Sequence, residues 1–242
     1  MTAKDEGMPA LGESWGDRGV ALTKGILGAV PVAGSIIAEV VGLLIPNQRF
    51  QRLEDFVRKL DERLKDLTKE ELTERLGNVE GVDLFEEGVL QASRALSRER
   101  LDYIANVVVS GITGDNKAKI EAKRILGLLR EIDDDQIIIL ASNLYRFQRD
   151  EQFHATHSRI LTPVSAHMGS DRDELDADAV FQLARAQLLQ LGLLKNQYRK
   201  PAKGALPEFD EATGTMKVSS RTLTPIGRLL LRRIGIAGPD DV

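Results

Sequence analysis

Three features of this sequence specify a mainly α-helical protein. Phe50, Leu53, Val57, Leu60, Leu64 and Leu67 recur at alternating steps of three and four, the seam of a bundle helix or coiled coil. Thr68 with Glu71, and Asp133 with Gln136, have the spacing of a capping box, in which each residue satisfies the other's backbone N–H at a helix start. Up to residue 147, no apolar–polar alternation of strand type interrupts the helical spacing. The expected architecture is a helical body with an N-terminal Gly-rich apolar helix or hairpin and a C-terminal winged-helix-like module. Residues 1–18 read as a flexible arm and 19–147 as the helical body, which includes an apolar segment at 19–46 and an amphipathic helix at 49–67. A connector at 148–173 leads to the module at 174–237.

The apolar segment, GVALTKGILGAVPVAGSIIAEVVGLLIPNQ, carries only Lys24 and Glu39 as charges. About 20 apolar residues suffice to cross a bilayer. Three readings stand side by side. A spanning helix is kinked at Pro31 and places Glu39 at bilayer depth, at a cost of about 2.5–3.5 kcal/mol. A hairpin folded back at Val30-Pro31-Val32-Ala33-Gly34 buries the segment in protein without that cost. A third form packs in the soluble state and inserts later, because Gly25, Gly28, Gly34 and Gly42 allow close helix contact but weaken a helix in water. Ile26, Val30, Pro31, Ile37, Val41 and Leu44 are the residues expected to meet a membrane or a partner.

Beyond the segment, Pro46 stops one helix and Asn47 suits the start of the next. The helix 49–67 sets its seam against an outer face laced with Glu54/Arg58, Asp55/Lys59 and Asp61/Lys65, pairs four apart. Gly77-Asn78 breaks a short helix that Thr68 caps. Residues 83–113 read as two helical stretches, with Leu84, Phe85, Val89, Ala92 and Leu96 on one buried face and Leu101, Ile104, Ala105 and Val108 on the other. A helix at 117–131 turns Ile120, Ile125, Leu128 and Leu129 inward. Asp133-Asp134-Asp135 lies where a helix N-terminus favours negative charge. The stretch 148–173 holds all three histidines, and its His154/His157 spacing is compatible with metal ligation. Asp150, Glu151, Asp171 and Asp173 flank the histidines, but no Glu adjoins them in a HExxH or ferritin-like arrangement, so a polar connector is the expectation. Asp176 or Asp178 is placed as the cap of AVFQLARAQLLQLGLL. A Pro/Gly-rich loop, a strand in EATGTMKVSSRTL and a last helix capped by Thr224 with Pro225 at its first position follow.

The composition limits what the chain does. Its 242 residues are ample for a core in one large or two small domains. The absence of cysteine excludes a disulfide framework and a thiolate metal site. A mean hydropathy of -0.20 excludes a polytopic membrane protein but leaves room for one membrane-active segment. The first residues are acidic, without the basic-then-apolar order of a secretory signal, so the expected location is cytoplasmic, or peripheral to or associated with the inner membrane. From residue 180 onward, ten basic residues face five acids, a charge of +5 that leaves the preceding residues at -9 within a total of -4. Such asymmetry points to an anionic partner or an internal docking surface.

No nucleotide-binding glycine loop, nucleophile elbow or histidine triad is present, and no cofactor or metal is expected. The chain reads as a non-enzyme. A winged-helix reader of DNA would use Arg185 on its helix, with Lys195, Arg199, Lys200 and Lys203 on the wing as phosphate contacts. That regulator reading is the alternative to a protein that acts on a membrane surface, on a protein partner or as a homo-oligomer.

Pro31-Val32-Ala33-Gly34 through Pro46, the helix 50–67, Leu191-Gly192-Leu193-Leu194 and Leu223-Thr224-Pro225-Ile226-Gly227 together resemble the abortive-infection alpha (Abi-alpha) family of bacterial phage-defence proteins. The long wing and the histidine-bearing stretch 148–173 depart from that pattern. The resemblance implies a role in antiviral defence and carries over no catalytic residue.

Overall fold

The first helix, α1 (Asn47–Leu64), opens directly after the apolar segment. The computed structural model describes residues 47–162, 167, 169–198, 201, 206–210, 214–238 and 241. The arm and the segment 19–46, with Ile26, Val30, Pro31, Ile37, Val41 and Leu44, lie outside these residues, as do Arg199, Lys200 and Lys203. The protein is mainly α-helical, with eleven helices and one two-stranded sheet among the described residues. None of those helices is long and apolar enough to cross a membrane. The chain divides into two compact units at Lys123/Arg124.

In the first unit, α1 packs on α3 (Val79–Arg94) and α4 (Arg98–Thr113), and these two pack on each other. The seam is borne out at Leu53, Val57, Leu60 and Leu64, all buried, and Phe56 joins them. Leu84, Phe85, Val89 and Ala92 of α3 and Leu101, Ile104, Ala105 and Val108 of α4 complete the core. Each large apolar side chain so buried contributes about 1.5–3 kcal/mol. Gly88 permits the close approach of α3, since a Cβ there would lie 2.6 Å from Val108 Cγ2 and 3.3 Å from Phe56 Cζ. Helix α2 (Lys69–Leu76) carries the expected capping box, with the Thr68 N–H donating to Glu71 Oε2 at 2.8 Å and the Glu71 N–H to Thr68 Oγ1 at 3.2 Å.

Four local expectations give way to tertiary contacts. Helix α1 ends at Leu64 rather than Leu67. Lys59 does not pair with Asp55; it reaches Asp102 of α4 at 2.7 Å, where Arg63 joins it at 2.6 Å. Leu96 is 89% exposed because α3 stops at Arg94 and Ser97 caps α4, leaving Leu96 in the link. On α5 (Asn116–Glu131), Ile120 faces outward and Lys119 inward, only 4% exposed. That rotation lets Lys119 Nζ donate to Oδ1 of Asn78, the cap of α3, at 3.1 Å.

The second unit runs from the later turns of α5 through α6 (Asp134–Ala141), α7 (Tyr145–Gln148), α8 (Glu151–Thr156) and α9 (Ser158–Leu161). Then come α10 (Arg172–Gln190), β1 (Leu194–Tyr198), β2 (Val218–Leu223) and α11 (Pro225–Arg233). The connector therefore contains α8 and α9, and α10 begins well before Asp176. Its cap is Asp171, whose Oδ1 accepts from the Glu174 N–H at 2.9 Å. Acids at Asp173 and Glu174 suit that first turn, and no apolar residue was needed to start it. Phe153 stacks on Phe147 at 4.3 Å, with the His157 ring 4.7 Å from it. No group of three potential metal ligands lies among the described residues. The strands pair antiparallel, Leu194 opposite Leu223 and Asn196 opposite Arg221.

Candidate functional site

The two short motifs at 191–194 and 223–227 form one junction, and it sets the position of α10. Leu191 ends the helix and Gly192, at φ +69, reverses the chain. The Leu193 N–H then donates to the Leu188 carbonyl at 3.0 Å and the Gly192 N–H to that of Leu189 at 3.0 Å, the two bonds of a Schellman cap. Thr224 binds both sides of this turn. Its Oγ1 donates to the Gly192 carbonyl at 2.6 Å and accepts from the Gly227 N–H at 3.1 Å, while its own N–H donates to Leu193 O at 3.1 Å. A Cβ on Gly227 would collide with that Leu193 carbonyl oxygen, so only glycine lets α11 start here.

Gln136 fixes α10 from the other side. Its Oε1 accepts from the Asp133 N–H at 2.9 Å in the expected capping box of α6. Its Nε2 crosses to α10, donating to Ala184 O at 3.1 Å and Gln187 Oε1 at 3.0 Å. The side chain is buried, and these bonds offset its desolvation.

Between α6, α10 and the hairpin lies a cleft of about 520 Å³. Arg185 and Arg221 both line it. Arg185 lies over the Phe181 ring, 5.1 Å from its centroid. Burial, and then the neighbouring Arg221 charge, pull the Arg185 guanidinium below its ordinary value, although it stays a cation at neutral pH. Arg221 Nε is buried without a hydrogen-bond partner, and so is Oδ1 of Asn196 opposite it on β1. Asp178 is the carboxylate in the wall, and it accepts from Gln182 Nε2 at 3.3 Å.

The side of α10 away from the cleft is bare at Val180, 67% exposed, and Leu183, 68%, while Leu188 is the fully buried side chain of the helix. Leu175, 46% exposed, lies on the face that continues into Asp178 and Gln182. Asp173 and Glu174 lie in the first turn, and Asp176 and Asp178 in the next.

Of the residues expected to touch nucleic acid, Arg185 is half-buried in the cleft and Lys195 is exposed on β1, so the two belong to different surfaces. Arg221 was not among them. Two signals mark these inward arginines. Arg221 is two residues from buried Leu223 on the same strand face, and Arg185 continues the spacing from Phe181 to buried Leu188. No family model, curated protein or solved structure matches this chain.

Proposed function

We propose that the protein is a non-enzymatic bacterial defence protein of the abortive-infection type that acts by holding a protein partner on its C-terminal unit. The observation that carries this reading is the bare face of α10, with Val180 and Leu183, three residues apart, about two-thirds exposed to water. An apolar stripe left exposed on an ordered helix marks an interaction surface. Four acids crowd the N-terminal half of the same helix, so the complementary partner is an amphipathic segment with basic residues flanking its apolar ones. The same acids disfavour the regulator alternative. In a winged helix, α10 would hold the place of the reading helix, and there its carboxylates and aliphatic side chains would face phosphates. The defence role itself rests on the family resemblance.

Leu183→Asp places a charge in the middle of the face without touching the cleft or the junction. Cells carrying this variant are expected to lose protection in a phage-plating assay at unchanged protein level and unchanged melting temperature. Full protection by the variant overturns the partner reading. A gel shift on duplex DNA gives the other arm: affinity that falls steeply as salt rises would restore the regulator.

A further inference from the structure

Arg185 and Arg221 present a problem that the partner-binding reading leaves unsolved. Two cations lie close enough in one cleft for the charge of one to act on the other, and among the described residues neither has a carboxylate within ion-pair distance. Arg221 also keeps a buried Nε–H without an acceptor. Folded proteins pair partly buried charges, because an unpaired one forfeits hydration without recovering it. Asp178 is in the same wall, but its hydrogen bond is to Gln182. Counting Asp178, the cleft holds two guanidinium groups and one carboxylate, a net positive, donor-rich site in which neither arginine is paired with an anion among the described residues.

We propose that this cleft binds an organic phosphomonoester, with the phosphoryl group between the guanidinium groups of Arg185 and Arg221. A phosphomonoester carries close to two negative charges at neutral pH, so it is drawn to a pair of arginines more strongly than a carboxylate or a phosphodiester, which carries one. Planar guanidinium forks bind phosphoryl oxygens in pairs through their N–H groups. Thr162 and Ser220 add hydroxyl groups to the wall. The volume of about 520 Å³ falls within the range of roughly 300–1,000 Å³ of small-molecule sites, well beyond a lone phosphate. The rest of the wall mixes apolar Ile139, Leu161, Leu194 and Phe181 with polar Asn143 and Gln182, so it can both pack against and hydrogen-bond the body that bears the phosphoryl group.

Isothermal titration of the full chain tests this with adenosine monophosphate, glycerol phosphate and inorganic phosphate, using adenosine as the uncharged control. Both esters are expected to bind and adenosine not to. A preference for the nucleotide over glycerol phosphate identifies a ring-bearing body, and equal affinity a small one. Affinity should rise as pH goes from 5 to 7, through the second phosphoryl ionisation near 6, because the site pairs with the dianion. Arg185→Gln and Arg221→Gln should each weaken binding at least about tenfold, the loss of one charge-assisted pair. Arg185→Lys, which keeps the charge and the stem over Phe181, should weaken it less and serves if the glutamine variant does not fold. Absence of heat with every phosphate compound at low ionic strength overturns the proposal. So does binding that is independent of pH or unchanged in both glutamine variants.

Discussion

Gly192 and Gly227 lie at the same junction for different physical reasons, and their substitution separates the two. At Gly192 a Cβ would meet nothing within 4 Å, so the whole cost of alanine is the left-handed backbone at φ +69. That cost is about 1 kcal/mol. At Gly227 the obstacle is the Leu193 carbonyl, whose carbon lies 3.2 Å from the added atom and belongs to backbone that cannot rotate away. Gly227→Ala should cost about 2–3 kcal/mol, the upper range for overpacking. Urea unfolding of the two variants should show the larger loss at Gly227, and the reverse order would refute this account of the junction. The cap at Thr224 and the proline behind it were legible in the sequence, because both are local rules. The bond from Thr224 to Gly192 was not, since it joins residues that only the docked hairpin brings together. Arg221 was missed because its charge was counted and its strand face was not. Alternation from Leu223 marks it as inward.

Among whole elements, α1 shows how a readable seam leaves its partner unspecified. The spacing from Leu53 to Leu64 gave the buried face but could not say that Lys59 and Arg63 would leave their own helix for Asp102. An i,i+4 pair on a solvated face stabilises by only about 0.3–0.5 kcal/mol, so a shared carboxylate on a packed neighbour outcompetes it. Partial burial pushes the Asp102 carboxyl up, but the hydrogen bonds from Lys59 and Arg63, with their charges, outweigh it and hold the group below its ordinary 3.8. A carboxyl depressed in the folded state adds stability that is present above the unfolded value and lost as pH falls through the folded one. Asp102→Asn should therefore destabilise by about 1 kcal/mol at pH 7, a figure discounted for screening because the side chain is 36% exposed. The gap between variant and parent should close as pH drops well below 3.8. Denaturant midpoints at neutral and strongly acidic pH provide the comparison, and a gap that persists in acid would exclude the ion pair as its source. Helix α10 teaches the converse. Its early start at Arg172 is hidden because residues 172–179 hold, apart from Leu175, only charged residues and alanines, too few apolar positions to set a period.

For the molecule as a whole, the open question is the segment 19–46, the longest apolar run in the sequence. No helix among the described residues is long and apolar enough to cross a bilayer, and this segment is the part of the sequence whose composition suits one. It holds one lysine near its start and Glu39 toward its end. A carboxylate at bilayer depth costs about 2.5–3.5 kcal/mol, which disfavours a permanent span and favours a segment that packs on protein and is released at a membrane surface. Glycines at positions 25, 28, 34 and 42 each make a helix of this sequence about 1 kcal/mol less stable in water than alanine would. The purified full chain should therefore float with liposomes, and a form lacking residues 19–46 should remain at the bottom of the gradient. Ile37→Asp should lower flotation by an order of magnitude or more, since a second buried carboxylate adds a cost of similar size. The first unit should remain folded in all three proteins, because the seam and core described for it lie outside the segment. If the full chain and the deletion both stay at the bottom with neutral and anionic vesicles, lipid binding is excluded, and the exposed face of α10 is left as the surface through which the protein acts.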